Sequence, residues 1–227
     1  MALIKRWKPS PFKHPRPEKY PLDMIVIHHI GSKNGKLYSV KGAVSWFVKE
    51  ELHRNKKTGK IENKVSAHYI IPRETYGQAQ VVALVSHEDV AYHAGVSSWT
   101  VGGITRKNIN NYSIGIELEG DGNLVPYTDA QYERLAEIVR SLMDVYGIPE
   151  ENIVGHEDIA PKRKVDPGRL FDWKRFRTDI APPEIAIPEP ASVTVAPDRD
   201  FHMESGETRR PGFLGLIQSI IKLFVKH

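Results

Sequence analysis

The stretch GHEDIAPKRKVDPG, around residue 160, concentrates side chains that can do chemistry. It places His156 ten residues before Asp166, with Lys164 between them. Imidazole and carboxylate are both zinc ligands, and a catalytic zinc needs three protein ligands with a fourth position open for water. Pro161 and Pro167 restrict the backbone, so the lysine and the aspartate are expected to be held in place. Because the chain has no cysteine, any metal must be bound through His, Asp or Glu.

A third ligand has to come from another part of the chain, and the best candidates lie in the segment IVIHHI. His28 and His29 end an apolar run that is typical of a buried strand. A polar histidine there is costly unless it is hydrogen-bonded or binds a metal. Neighbouring strand residues point to opposite faces, so only one of the two can reach a given ion. From the residues alone, a metal ligand and a hydrogen-bonded structural histidine remain alternatives.

The elements that must position these side chains alternate along the chain. Short apolar or alternating runs predict strands, and an apolar period of 3.6 residues predicts helices. We expect strands at 24–30, 65–71, 79–85 and 111–120, a short strand just before His156, and helices at 42–53 and 128–146. Interspersed strands and helices indicate the α/β class. We predict a central mixed β-sheet flanked by helices, in a single domain over residues 22–180.

The segment NYSIGIELEG alternates most regularly. Its apolar residues are expected on one face of the strand, with Ser113, Gly115, Glu117 and Glu119 on the other. This pattern predicts a strand with one apolar face and one face that carries carboxylates.

The helix at 128–146 has recognisable signals at both ends. Thr128 and Gln131 form a capping box, and Gly147 supplies the stop after the last turn. These signals predict both limits of this helix.

The two ends of the chain differ in composition from the middle. Residues 1–21 form a basic, proline-rich N-terminal arm, which we expect to be solvated outside the domain. Residues 181–211 contain six prolines and predict a semi-extended linker. Residues 212–227 place their apolar side chains at helical spacing, which predicts an amphipathic helix. This helix suits either an anionic membrane surface or docking on the domain, on a second copy or on a partner.

Charge and hydropathy exclude several classes. Residues 24–180 hold 21 Lys or Arg and 20 Asp or Glu, so the globular part is nearly neutral and argues against a nucleic-acid partner. The N-terminus lacks the apolar run of a signal peptide, and no stretch approaches the ~20 apolar residues of a membrane span. We therefore expect synthesis in the cytoplasm without a signal peptide.

Several segments together resemble the zinc-dependent N-acetylmuramoyl-L-alanine amidases, which share their fold with peptidoglycan recognition proteins and phage lysozyme-type amidases. These segments are IVIHHI, VSAHYII, AYHAGVSSW, NNYSIGIELEG, YTDAQYERL and GHEDIAPKRKVDPGRLFDW, in that order. The resemblance covers about residues 22–178. The second half, over residues 110–173, is especially similar to the anhydromuropeptide amidases of cell-wall recycling.

The resemblance implies roles for five residues. His28, His156 and Asp166 would bind one Zn²⁺ ion. Glu117 would be the acid/base that takes a proton from the attacking water, and Lys164 would stabilise the developing oxyanion. Position 67 is alanine where phage-type relatives have a tyrosine in the site, so the chain is expected to depend on Glu117.

For several other polar residues, contact with substrate and a structural role are the alternatives. The resemblance suggests that His93, His68 and Asn110 line the substrate groove, and hydrogen bonding within the fold is the alternative for each. Glu119 is expected to be structural, and His29 is expected to point away from the metal.

The resemblance leaves two biological settings and one alternative of another class. A wall-degrading, endolysin-type amidase acting after release would explain a cationic amphipathic C-terminus that engages an anionic envelope, and we favour this setting on sequence. A cytoplasmic recycling amidase acting on soluble 1,6-anhydromuropeptides is the second setting. A non-catalytic peptidoglycan-binding protein is the third reading, which the retained ligand positions and Glu117 disfavour.

Overall fold

A six-stranded mixed β-sheet forms the centre of the computed structural model, which describes residues 3–182. The strands of this sheet are β1 (Lys5–Trp7), β3 (Met24–His29), β6 (Tyr69–Ile71), β7 (Val81–Ala83), β11 (Ser113–Leu118) and β12 (Ile153–Gly155). Their order across the sheet is β1-β7-β6-β11-β3-β12, and every neighbouring pair is parallel except β6 and β7. This confirms the predicted α/β class with a central mixed sheet.

The remaining elements are short strand pairs and helices. The pairs are β2 (Lys13–Pro15) with β8 (Asp89–Ala91), β4 (Ser32–Lys33) with β5 (Lys36–Leu37), and β9 (Ser98–Val101) with β10 (Ile104–Lys107). The α-helices are α1 (Val40–Val48), α2 (Asp129–Tyr146), α3 (His156–Ile159) and α4 (Trp173–Ile180). Within residues 3–182, three 3₁₀ turns lie at Glu50–His53, Ile109–Tyr112 and Glu150–Asn152.

The two central strands are buried on both faces, as continuous apolar runs in parallel sheets usually are. Helix α2 covers one face, where Ile25 and Ile27 of β3 pack with Ile114 and Ile116 of β11 in the main core cluster. The opposite face of β11 is buried as well, although it carries small and polar residues. The predicted polar face therefore lies in the interior of the protein, where it can form a site.

The signals at the ends of α2 act as predicted. The Thr128 side chain accepts a hydrogen bond from the Gln131 N–H, and the Gln131 side chain accepts one from the Thr128 N–H. Gly147 ends the helix with a φ of 64°. The helix predicted at 42–53 differs from the structure at both ends. Helix α1 begins earlier, because Ser39 caps it, and it ends at Val48, after which a 3₁₀ turn forms at Glu50–His53.

The N-terminal segment is part of the folded unit, which corrects the prediction of a separate solvated arm over residues 1–21. Strand β1 pairs with β7 at the sheet edge, and Phe12 is only 2% exposed. Arg16 donates hydrogen bonds to five backbone carbonyls, those of His87, Asp89, Asn110, Asn111 and Ser113. Composition misses this role, because a basic, proline-rich segment can still bury one aromatic ring and bind backbone carbonyls through one partly buried guanidinium.

The predicted linker over 181–211 and the helix over 212–227 lie almost entirely outside the described residues, which end at residue 182. Among the described helices, none combines the length and apolarity that crossing a bilayer demands.

Candidate metal centre and active site

Three adjacent parallel strands bring the principal site residues into one row. Glu117 of β11 is the register partner of His28 of β3. On the other side of β3, Gly155 of β12 pairs with Ile27, so His156 follows directly at the level of His28. The row lies at the carboxyl ends of the strands, where open α/β sheets bind their ligands. Sequence positions 28, 117 and 156 therefore meet because these strands are neighbours.

The loop after β12 delivers Asp166 to the same point. The chain turns through α3, and the Glu157 N–H donates to the Asp166 carbonyl oxygen at 2.9 Å, which closes the loop on itself. The Lys164 N–H donates to the Ala160 carbonyl at 3.1 Å. The hydroxyl of Tyr127, which lies outside this loop, donates to the Pro167 carbonyl at 2.7 Å. The loop is thus held by several bonds, as its prolines suggested.

His28, His156 and Asp166 form a compact buried triangle. Their Nδ1, Nδ1 and Oδ2 atoms lie 2.9 to 3.0 Å apart in all three pairs. A tetrahedral ion at about 2.0–2.1 Å from each donor would separate the donors by about 3.3 Å, close to the observed spacing. Each of the three residues is at most 7% exposed. These three residues could bind a metal ion.

The protonation of the triangle leaves electron pairs directed at its centre. Burial lowers the pKa of His28 to about 4, so this ring is neutral at pH 7. His156 places Nε2 3.1 Å from the Ala94 carbonyl, which can only accept, so a neutral His156 ring carries its proton on Nε2 and directs the free electron pair of Nδ1 at the triangle. A neutral His28 beside an anionic Asp166 is not a salt bridge, and a cation satisfies this centre better than a proton.

Glu117 is a buried carboxyl group beside this centre. It is 8% exposed, and its Oε2 atom has no hydrogen-bond partner among residues 3–182. Burial, supported by the negative charge of Asp166, raises the pKa of Glu117 to about 8, against an opposing effect of Lys164. A buried carboxyl with a pKa near neutrality can both accept and donate a proton, as general acid–base catalysis requires.

Lys164 lies close enough to act on both sides of the site. Its charge lowers the pKa of His28 and of Glu117. The residue is partly buried and forms no salt bridge with any residue between 3 and 182. Its ammonium group is therefore available to a charge that develops in the site.

A cavity of about 530 Å³ opens next to Glu117. Its other walls come from the end of β3, from α1 and from the residues around them: His29, Ile30, Tyr38, Gly42, Ala43, Trp46, Phe47 and Val65. Trp46 and Tyr38 are almost half exposed, so aromatic surface flanks the entrance. A ligand in this cavity would lie directly against the Glu117 carboxyl group.

The three residues suggested for substrate binding are engaged in hydrogen bonds within the protein. His68 is fully buried, and its Nδ1 accepts from the Gly115 N–H at 3.0 Å. The Asn110 side-chain oxygen accepts from the N–H groups of His93 and Ala94. His93 is 7% exposed, and its Nδ1 atom lies 2.9 Å from Nε2 of His28. For His68 and Asn110, this geometry favours the structural alternative over substrate contact.

Two neighbours of the site have the roles expected of them. Glu119 accepts hydrogen bonds from the N–H groups of Val40 and Arg73, which confirms its structural role. The Nδ1 atom of His29 accepts from the Gly122 N–H, away from the triangle. Ser113 and the Ala94 carbonyl, which also contact the site histidines, were not singled out from sequence, because a serine and a backbone oxygen carry no motif.

The fold and the site together define an α/β protein with a candidate metal centre and a buried carboxyl group beside it. A family model for N-acetylmuramoyl-L-alanine amidase matches residues 18–169. The 1,6-anhydro-N-acetylmuramyl-L-alanine amidase AmpD of Escherichia coli K12 is 38% identical over 176 residues, which cover 76% of this chain and 90% of that protein. The chain belongs to the N-acetylmuramoyl-L-alanine amidase family, as its motifs suggested.

Solved structures agree with this family. A crystal structure of a selenomethionine AmpD derivative matches with a TM-score of 0.65 and 35% identity, covering 80% of this chain and 97% of that one. The Escherichia coli amidase AmiD, in complex with anhydro-N-acetylmuramic acid-L-Ala-D-γ-Glu-L-Lys, matches with a TM-score of 0.53 and 30% identity, covering 70% and 58%. The predicted fold and enzyme class are thereby confirmed.

Proposed function

We propose that this protein hydrolyses the amide bond between N-acetylmuramic acid and L-alanine in soluble 1,6-anhydromuropeptides, using one zinc ion. The observation that carries this substrate is the similarity to the AmpD amidase over 90% of that enzyme, whose name specifies the 1,6-anhydro sugar. The similarity covers 76% of this chain. The anhydromuropeptide bound to AmiD supports the same substrate class.

The sequence alone favoured a wall-degrading, endolysin-type enzyme, and the comparisons favour the recycling alternative instead. That first preference depended on the predicted amphipathic helix over 212–227, which lies outside the described residues. Binding of an anionic membrane surface by this helix stays a prediction, as does action in the cytoplasm.

His28, His156 and Asp166 would hold the zinc ion. The two imidazole nitrogens and the carboxylate supply the donor types and the number of ligands of a catalytic site. When bound, zinc polarises a substrate carbonyl and lowers the pKa of water toward about 7. His28 can bind the ion without first losing a proton, because its ring is already neutral at pH 7.

Glu117 would move the proton in both halves of the reaction. Its carboxylate takes a proton from water as the water oxygen bonds to the carbonyl carbon of the muramic acid side. It then gives this proton to the nitrogen of L-alanine as the C–N bond breaks, so the amine leaves neutral. The raised pKa and the unpartnered Oε2 atom support this role, because no hydrogen bond has to be broken first.

Lys164 would stabilise the negative oxygen of the tetrahedral intermediate. A cation that is fixed near the developing charge lowers the barrier without reorganisation during the reaction. The backbone bond from Lys164 to Ala160 and the absence of a salt-bridge partner within residues 3–182 support this assignment. A non-catalytic binding protein would need none of these groups together, so we regard that alternative as disfavoured.

Mass spectrometry of products separates the two settings. Purified protein is incubated with a soluble 1,6-anhydromuropeptide and with intact sacculi, each with and without a chelator. We expect chelator-sensitive release of free peptide from the soluble substrate, with little or none from sacculi. Release from sacculi at a comparable rate would refute the recycling assignment, and no release from either substrate would refute the amidase itself.

The Glu117→Gln variant is the matched control for this assay. It keeps the shape of the side chain and removes the ability to accept the proton. Loss of activity with zinc content unchanged would support the assigned role of Glu117, whereas full activity would contradict it.

A further inference from the structure

A line of three hydrogen bonds runs from the metal triangle into the sheet. The Nε2 atom of His28 lies 2.9 Å from Nδ1 of His93. The Nε2 atom of His93 lies 3.2 Å from the Ser113 hydroxyl, and that hydroxyl lies 2.7 Å from the backbone carbonyl of Ile109. His93 and Ser113 are both buried, so water does not compete for these bonds.

The carbonyl at the end of this line determines its direction. A carbonyl oxygen only accepts, so the Ser113 hydroxyl must donate to Ile109 and offers its lone pair to His93. The neutral His93 ring then carries its proton on Nε2 and has a free electron pair on Nδ1. His28 must in turn donate its Nε2–H to that pair, which leaves its own Nδ1 bare and directed at the triangle.

We infer that His93 and Ser113 are positioning residues that set the His28 tautomer for metal binding before any ion arrives. The inference rests on the metal centre of the proposed function, and it concerns residues that do not touch the ion. Outer-shell partners of this kind orient ligating histidines and raise their basicity. This line of hydrogen bonds, which we call the relay, gives His93 a structural role. The role accounts for the burial of His93 without any contact with substrate.

Gly115 makes the arrangement possible. A Cβ atom at this position would lie 2.4 Å from Cγ of His93, far closer than real contacts allow. The glycine is two residues after Ser113 on the same face of β11. One strand therefore supplies the hydroxyl that directs the His93 ring and the space in which the ring lies.

The direct test is the tautomer itself. Long-range ¹H–¹⁵N spectra of metal-free protein with ¹⁵N-labelled histidine, at pH 7.5, are expected to show both His28 and His93 with the proton on Nε2. A proton on Nδ1 of either ring in the metal-free protein would overturn the inference. This measurement uses the unmodified chain and is independent of zinc binding.

Zinc affinity, measured by competition with a chelating dye, tests the consequence. Ser113→Ala is expected to weaken zinc binding by about 10-fold, and His93→Leu by about 10- to 100-fold. His93→Asn, which keeps an acceptor oxygen near the Nδ1 position, is expected to restore most of the loss.

Ser10→Ala is the matched control, because Ser10 is also buried and its hydroxyl donates to the Phe47 carbonyl without contacting a site histidine or a residue next to one. It should leave zinc affinity unchanged. Wild-type affinity in both Ser113→Ala and His93→Leu would overturn the relay alone, whereas a wild-type protein that binds no zinc would refute the proposed metal centre.

Discussion

Replacing Glu117 with glutamine is expected to stabilise the metal-free protein at alkaline pH and to have little effect near pH 5. Burial raises the pKa of Glu117 from 4.5 to about 8, so the folded protein binds this proton more tightly than the unfolded chain. A group of this kind contributes its full stability below pH 4.5 and loses it progressively as the pH rises to 8. Glutamine is neutral throughout and avoids the loss.

The magnitude follows from the two pKa values. One pKa unit corresponds to about 1.4 kcal/mol, so ionising the buried carboxyl costs about 5 kcal/mol once the pH exceeds 8. At pH 5 the cost is only about 1 kcal/mol. The free energy of unfolding of Glu117→Gln, relative to wild type, should therefore rise by about 4 kcal/mol between pH 5 and pH 9.

Urea denaturation in the presence of a chelator, at pH 5, 7 and 9, measures this difference. The buried histidines, including His28, His68 and His93, also titrate, but they do so in both proteins and their effect cancels. Glu151→Gln, at an exposed position, is the control and should show no pH-dependent gain. A Glu117→Gln difference that stays constant within about 1 kcal/mol across this range would refute the buried, proton-binding state of the carboxyl group.

Four further outcomes are expected from the same structure. Asp166→Ala should remove bound zinc, measured by atomic absorption, together with amidase activity, and full retention of zinc would disprove the ligand assignment. Lys164→Ala should lower kcat by about 10²- to 10³-fold with zinc content unchanged, as loss of an oxyanion-stabilising group does; an effect on KM alone would contradict that role. Gly115→Ala should displace the His93 ring and weaken zinc binding, and a crystal structure with His93 unmoved would show that the packing argument is wrong. Phe12→Ala should cost about 3–5 kcal/mol in thermal or chemical unfolding, because the ring is 2% exposed; a negligible cost would restore the separate arm.

Local patterns predicted what depends on a few neighbouring residues. The apolar run before His28 defined β3, and the capping pair with Gly147 defined α2, because backbone periodicity and end caps act within one or two turns. The His156–Asp166 spacing indicated a metal-binding loop for the same reason: both ligands lie on one short, proline-restricted segment.

Other features were beyond local patterns, because they depend on which strands become neighbours. The meeting of His28, Glu117 and His156 requires β11 and β12 to flank β3 in register, and nothing near residue 28 specifies partners some 90 and 130 residues away.

The burial of the N-terminal segment and the inward direction of His68 and His93 were likewise decided by packing. A polar residue's neighbours determine whether it faces a ligand or the core. The sequence by itself thus determined the residue types available for chemistry, and the tertiary structure decided which of them face one another, since hydrogen-bond direction and burial exist only once the sheet has assembled.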